Sequence, residues 1–262
     1  KFWKMIMENF ILKNKERNDY RCIFNFIFGN PDNFMNGDPK NSPLPGNLLG
    51  TIYKGGFIVP IIQTLLLTVL TLSVERFIAI TKAQGKGNLT SFVAQIKESL
   101  SKGDIAGAKE LCSKQKGSVA NVVNSGLDKY AQMEADNDLS KEQKVVAIQK
   151  EIEEATALEM PSLEQNLPVV ATMTTLGTLM GLLGTVIGMI KSFAALANAG
   201  SVDSLALSTG ISEALINTAF GIATGASAVI AYNYFTAKID GITYCIDEVG
   251  FTIVQNFNAS HK

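Results

Sequence analysis

Residues 179–190 read LMGLLGTVIGMI, and residues 219–228 read AFGIATGASA. Both stretches are uncharged and apolar enough for lipid, yet both are notched by glycine and dotted with hydroxyls. The first lies in a run of 26 residues, 165–190, without Asp, Glu, Lys or Arg; the second lies in a run of 24, 214–237. A helix rises about 1.5 Å per residue, so each run covers the roughly 30 Å of a bilayer's hydrocarbon. A third charge-free stretch, GGFIVPIIQTLLLTVLTLSV at 55–74, closes at Glu75-Arg76 and carries Pro60 near its start, where a helix tolerates it. No segment alternates with the period of a strand. The fold class that follows is an all-α membrane protein with three transmembrane helices.

Charge is concentrated at 1–54 and 75–164. In the polar insert, Phe92, Ile96 and Leu100 fall at i, i+4 and i+8, and Gly103-Asp104 breaks that helix. Ser140, with Gln143 three residues on, has the pattern of a capping box for a further helix. Near the N-terminus Phe2, Trp3, Ile6, Phe10 and Lys13 are spaced as on one helix. Two readings fit them: a basic amphipathic helix on a membrane surface, or a short helix packing on its own protein. Residues 29–50 are rich in Pro, Gly and Asn and read as a loop. The organisation expected is an N-terminal amphipathic segment and loop (1–50), a first span (51–82), a helical insert (83–163), a second span (164–194), a loop (195–205), a third span (206–237) and a C-terminal helix (238–262).

The formal net charge of −1 gives no footprint for nucleic acid. Three cysteines, Cys22, Cys112 and Cys245, are far apart, which argues against a disulfide framework or a zinc site. The only histidine is His261. There is no P-loop, dinucleotide fingerprint or nucleophile elbow, so no enzyme chemistry and no cofactor are expected. Arg76, Lys82, Lys86 and Lys238 flank the membrane on the side of the insert, while the 195–205 loop has no Lys or Arg. By the positive-inside rule the insert and tail are cytoplasmic and the N-terminus is outside, with Lys40 and Lys54 against the rule.

In the second span Gly177, Gly181, Gly184 and Gly188 share one face. Thr174, Thr178, Gly181, Thr185, Gly188 and Ser192 form an overlapping hydroxyl stripe. In the third, Glu213, Asn217, Gly221, Thr224 and Ala228 make one stripe, with Thr218 and Gly225 beside it. Two readings fit: small residues that let helices pack closely in lipid, or a hydrated lining that faces an ion path and a partner. Glu213 likewise either faces that path or sits at headgroup level. The spans hold no Asp, Lys or His at mid-bilayer, so a titrating group for proton conduction would have to come from another subunit.

MGLLGTVIGMIKSFAAL (180–196) followed by STGISEALINTAFGIATGASAVIAYNYF (208–235) resembles the MotA/TolQ/ExbB proton-channel family, ExbB and TolQ more than MotA. The resemblance covers roughly 55–250, including the Glu75-Arg76 membrane border, and leaves 1–50 without a counterpart. It implies a bacterial inner-membrane protein with a periplasmic N-terminus and a cytoplasmic C-terminus. It also implies a homopentamer around a central pore that holds a dimer of an ExbD-like single-span partner. By position, Thr185, Thr218 and Glu213 match the family's ion pathway. Thr174, Thr178, Gly181, Gly184, Gly188, Asn217, Gly221 and Thr224 are then pore-lining or partner-facing. The implied work is proton-driven and passed to a TonB-like periplasmic protein. A TolQ-like role in outer-membrane integrity and a non-conducting scaffold are the alternatives. Three spans without a broken inverted repeat argue against a solute transporter.

Overall fold

A computed structural model of the protein describes residues 24, 26–39, 41, 43–198 and 204–260. The N-terminal helix expected around Phe2, Trp3, Ile6, Phe10 and Lys13 lies outside the described residues, as do Lys40, Cys22 and His261. Among the described residues there is no strand; an isolated bridge pairs Phe34 with Pro43. The helices are α1 (Leu48–Tyr53), α2 (Ile58–Gln84), α3 (Leu89–Ser101), α4 (Ile105–Gln115), α5 (Gly117–Ala135), α6 (Lys141–Glu164), α7 (Leu167–Asn198) and α8 (Ser204–Ser260). Three helical stretches, within α2, α7 and α8, are long and apolar enough to cross a membrane. Within their most apolar windows only 28%, 22% and 33% is buried inside the chain, so most of that surface needs lipid or other chains to cover it.

The chain divides into two compact units. One comprises 71–169 and 230–262 and holds α3 to α6, the end of α2 and the second half of α8. Its helices begin where short polar side chains satisfy orphan N–H groups: Asn88 accepts from Thr90 N at 2.9 Å and Asp104 from Gly107 N at 2.8 Å. Ser140 and Gln143 form the reciprocal capping box at the start of α6. Phe92, Ile96 and Leu100 are buried as their spacing requires, in one core with Leu127, Ile148, Ile246 and Phe257. Polar ties fix the register of α8 on this core. Asn256 Nδ2 donates to Leu100 O at 2.7 Å, Tyr130 Oη donates to Asn256 Oδ1 at 3.1 Å, and Lys97 pairs with Glu248 at 2.5 Å. Cys112 belongs to the core, and burial pushes its thiol up to about 12, which makes it inert.

The other unit comprises 1–70 and 170–229. Part of the segment read as a loop is built around Asn33. Its Nδ2 donates to Ile27 O and Phe28 O, both at 3.2 Å, and its Oδ1 accepts from Asn47 Nδ2 at 2.9 Å. Phe24 and Phe34 pack on Tyr53. Two 3-10 turns, Pro31–Asn33 and Met35–Gly37, precede α1, so the polar, Pro/Gly-rich segment is ordered by side-chain amides rather than by periodicity.

The helix that begins at the Ser140 capping box does not run on unbroken into the second span. The backbone instead breaks at Asn166, which takes the left-handed conformation (φ +65°) between α6 and α7, with Pro168 in the first turn of α7. Arg76, 1% exposed, seals that break. Its Nη1 donates to Ser162 O and Leu163 O, both at 3.3 Å, two last-turn carbonyls of α6. Its Nε and Nη2 hold Glu75, which also accepts from Asn166 Nδ2 at 3.2 Å. The border pair is thus a clasp with Arg76 buried and Glu75 part-exposed. Replacing Arg76 by Met leaves two last-turn carbonyls of α6 without their donor, and the expected loss is about 1–3 kcal/mol, read as a fall in thermal midpoint in detergent. Arg76→Lys restores only part of it, because an ammonium lacks the planar fork.

Candidate functional site

Seven glycines bring α7 and α8 together along one seam. A Cβ added at Gly221 would lie 2.6 Å from Gly181 Cα, and one at Gly181 would lie 3.0 Å from Gly221 Cα. The two backbones therefore meet with no side chain between them. Below this point, Gly177 abuts Thr224 (2.9 Å) and Gly225 abuts Thr178 Oγ1 (2.6 Å). Above it, Gly184 lies against the side chain of Asn217 and Gly188 against Ala214 Cβ (2.9 Å), while Gly210 faces Ser192. In hydrocarbon such contact is how helices gain dispersion energy, since lipid is as apolar as any leucine.

The resemblance implied a pore-lining or partner-facing place for Gly181, Gly184, Gly188, Asn217, Gly221 and Thr224, beside the alternative that such residues pack helices closely in lipid. The single chain places them in the seam between its own α7 and α8, where all six are buried. The spacing was read correctly as one face; the neighbour that covers the face is the helix hairpin itself.

At one end of the seam polar groups converge. The Glu213 carboxylate, 6% exposed, pairs with Lys191 Nζ at 2.6 Å. The Lys191 ammonium also lies 5.9 Å from the centre of the Phe57 ring. Gly56, with φ +75°, lets the turn before α2 run against the Glu213 carboxylate, and a Cβ there would collide with it. Asn217, fully buried, donates from Nδ2 to Gly55 O and Glu213 O, both at 2.9 Å. Its Oδ1 is buried without a partner among the described residues. One asparagine and one ion pair therefore join α7, α8 and the entry turn of α2. Sequence analysis missed Lys191 in this role. The available signal was that Lys191 and Glu213 have opposite charge and close two uncharged runs on either side of one short loop.

The hydroxyls fall in two sets. Thr224 is buried in the seam and donates to Phe220 O at 2.8 Å. Thr174, Thr185 and Thr218 are half-buried and Thr178 is exposed. Each of the four donates to a carbonyl of its own helix: Thr174 to Ala171 O at 2.6 Å, Thr178 to Thr174 O at 3.1 Å, Thr185 to Leu182 O at 2.6 Å and Thr218 to Ala214 O at 3.3 Å. That bond lets a threonine stand in lipid or beside a path with its donor satisfied and its oxygen still able to accept. Thr185 also borders a surface groove of about 480 Å3 with Val186, Met189, Ile190 and Phe193. This is an apolar face with a single hydroxyl.

Residues 114–248, which contain both seam helices' contact regions, match the MotA/TolQ/ExbB proton channel family. The Tol-Pal system protein TolQ of Pseudomonas aeruginosa is 31% identical over 120 residues, 46% of this chain and 52% of that protein. TolQ of Haemophilus influenzae is 38% identical over 84 residues, 32% of this chain and 37% of that protein. The biopolymer transport protein ExbB of Pseudomonas putida is 29% identical over 156 residues, 60% of this chain and 46% of that protein. The chain spans about half or less of the length of these curated relatives.

The seam makes a sharp stability prediction. Gly181→Leu forces α7 and α8 apart and destabilises by roughly 1–3 kcal/mol or more. Gly241→Ala, where an added Cβ meets nothing within 4 Å, stabilises by up to about 1 kcal/mol. Denaturant titration of both variants in detergent micelles checks the pair.

Proposed function

The chain belongs to the MotA/TolQ/ExbB proton channel family, and from that premise we propose that it is the channel-forming stator subunit of an inner-membrane energiser of the ExbB type. Five copies surround a pore that holds two single-span, ExbD-like partner helices. Protons moving through that interface drive work that is passed to a TonB-like protein for transport across the outer membrane. The insert and C-terminus are cytoplasmic and the 195–205 loop is periplasmic. The transported ion is H+, and the chain needs no cofactor.

The observation that carries this reading is a division of labour between the two sets of hydroxyls and charges. The glycine face is used up within the hairpin, so what α7 offers to a neighbour is apolar surface with Thr172, Thr175, Thr178 and Thr185 on it. Among the described residues, Glu213 is the acidic residue at this end of the uncharged runs of α7 and α8, and it is already paired with Lys191. Thr185 and Thr218 give a hydrated path oxygens that accept a hydrogen bond, and a partner's membrane carboxylate supplies the group that binds and releases the proton. A proton crossing 100 mV releases about 2.3 kcal/mol, enough to shift a few side-chain contacts per step. In this scheme Glu213 borders the outer end of the path, and its tie to Lys191 keeps the path's walls in register.

A TolQ-like role is the second reading, favoured by the identities to two TolQ proteins. The chemistry of the path is the same in both. Complementation of strains lacking either system separates them: rescue of iron-siderophore uptake supports the first, and rescue of detergent resistance alone supports the second. A non-conducting scaffold is a third reading, suited to glycines that only pack.

Thr185→Val and Thr218→Val replace a hydroxyl by a methyl of the same size at sites where the hydroxyl serves only its own helix. Both variants should assemble five-to-two with the partner, as counted by native mass spectrometry, while proton flux in vesicles falls on the order of tenfold. Unchanged flux in both would favour the scaffold.

A further inference from the structure

A cavity of about 230 Å3 opens in the unit formed by 71–169 and 230–262. Phe77, Ile80, Thr81 and Gln84 of α2 line one side, and Tyr234, Phe235 and Lys238 of α8 the other. Its floor is apolar: Ile80 and Phe235 are buried. Its rim is made of donors. The Lys238 ammonium lies 5.8 Å from the centre of the Tyr234 ring. Among the described residues it has no carboxylate partner. The Gln84 backbone carbonyl accepts from Gln115 Nε2 at 2.9 Å, but the Gln84 side-chain amide has no partner among the described residues. No acid lines the cavity. A site with a cation, an amide and a phenol but no carboxylate recognises an oxyanion.

Its place along the chain says which kind. Lys238 ends the uncharged run of α8, and Phe77 follows the Glu75-Arg76 close of the first span. The lining thus passes from apolar to cationic where hydrocarbon gives way to headgroups. A soluble anion needs only the donors; the aromatic and aliphatic floor adds a surface for glycerol and the first acyl methylenes. We infer that this cavity binds an anionic phospholipid, with the phosphate ester against Lys238 and Gln84 and an acyl chain along Phe77 and Phe235. The inference rests on the membrane position of α2 and α8 and is independent of the proton path.

The test is native mass spectrometry of the full chain released from phosphatidylcholine nanodiscs doped with phosphatidylglycerol. Wild type should retain phosphatidylglycerol above its share of the mixture. Lys238→Met with Gln84→Leu should lower that retention about fivefold or more, and Lys238→Arg should keep it. Lys82→Met, which removes an exposed cation from the same helix end, should leave it unchanged. No enrichment in wild type, or equal losses from Lys82→Met and Lys238→Met, would mean generic attraction to the leaflet and would overturn the site. Binding of acyl-free glycerol phosphate with the same Lys238 dependence and affinity as the lipid would overturn the lipid assignment in favour of a soluble phosphate ester.

Discussion

The close approach of α7 and α8 at Gly181 and Gly221 is the contact on which the membrane part of this chain depends. Two helices in hydrocarbon gain nothing from expelling water, so they stay together only by fitting. Here the fit is backbone on backbone, and glycines and small residues continue it to either side. Once that face is spent, the rest of α7 is determined. Its leucines, valines and isoleucines are left for lipid or neighbouring chains, and its exposed and half-buried threonines become the polar groups it can show them.

Two polar clasps work with the seam. Lys191, Glu213, Asn217 and the Gly55–Gly56 turn tie three elements in one unit. Arg76, Glu75 and Asn166 seal the α6–α7 break in the other. Buried charge is costly beside a membrane unless it is paired and hydrogen-bonded. In each clasp the buried charge, Glu213 or Arg76, is paired with an opposite charge that reaches the surface. Asn217 Oδ1, one turn from Glu213, is a buried acceptor with no partner among the described residues.

Much of this was legible in the residues. Three charge-free runs of bilayer length, the capping box at Ser140 and the i, i+4, i+8 pattern of Phe92, Ile96 and Leu100 each correspond to an observed helix or buried face. The 4, 3, 4 spacing of Gly177, Gly181, Gly184 and Gly188 identified a single face. What spacing cannot contain is the identity of the surface opposite; of the two surfaces the stripes allowed, the next helix of the same hairpin covers these glycines within the chain. The break at Asn166 was partly readable, since Asn followed by Leu-Pro is a poor continuation of a helix. The role of Arg76 was not, because it depends on carbonyls 86 and 87 positions away. Asn33 as the hub of the segment before α1 was hidden for the same reason: side-chain amide bonds leave no periodic trace.

The account holds that this chain shapes an ion path but does not itself carry the group that binds and releases the ion. The direct measurement is proton flux, at a fixed membrane potential, into vesicles that contain the purified chain alone or the chain with its single-span, carboxylate-bearing partner. The account predicts no flux above lipid leak for the chain alone and clear flux for the complex. Flux through the chain alone, abolished by Glu213→Gln in a variant that still assembles, would contradict it and make Glu213 the titrating group.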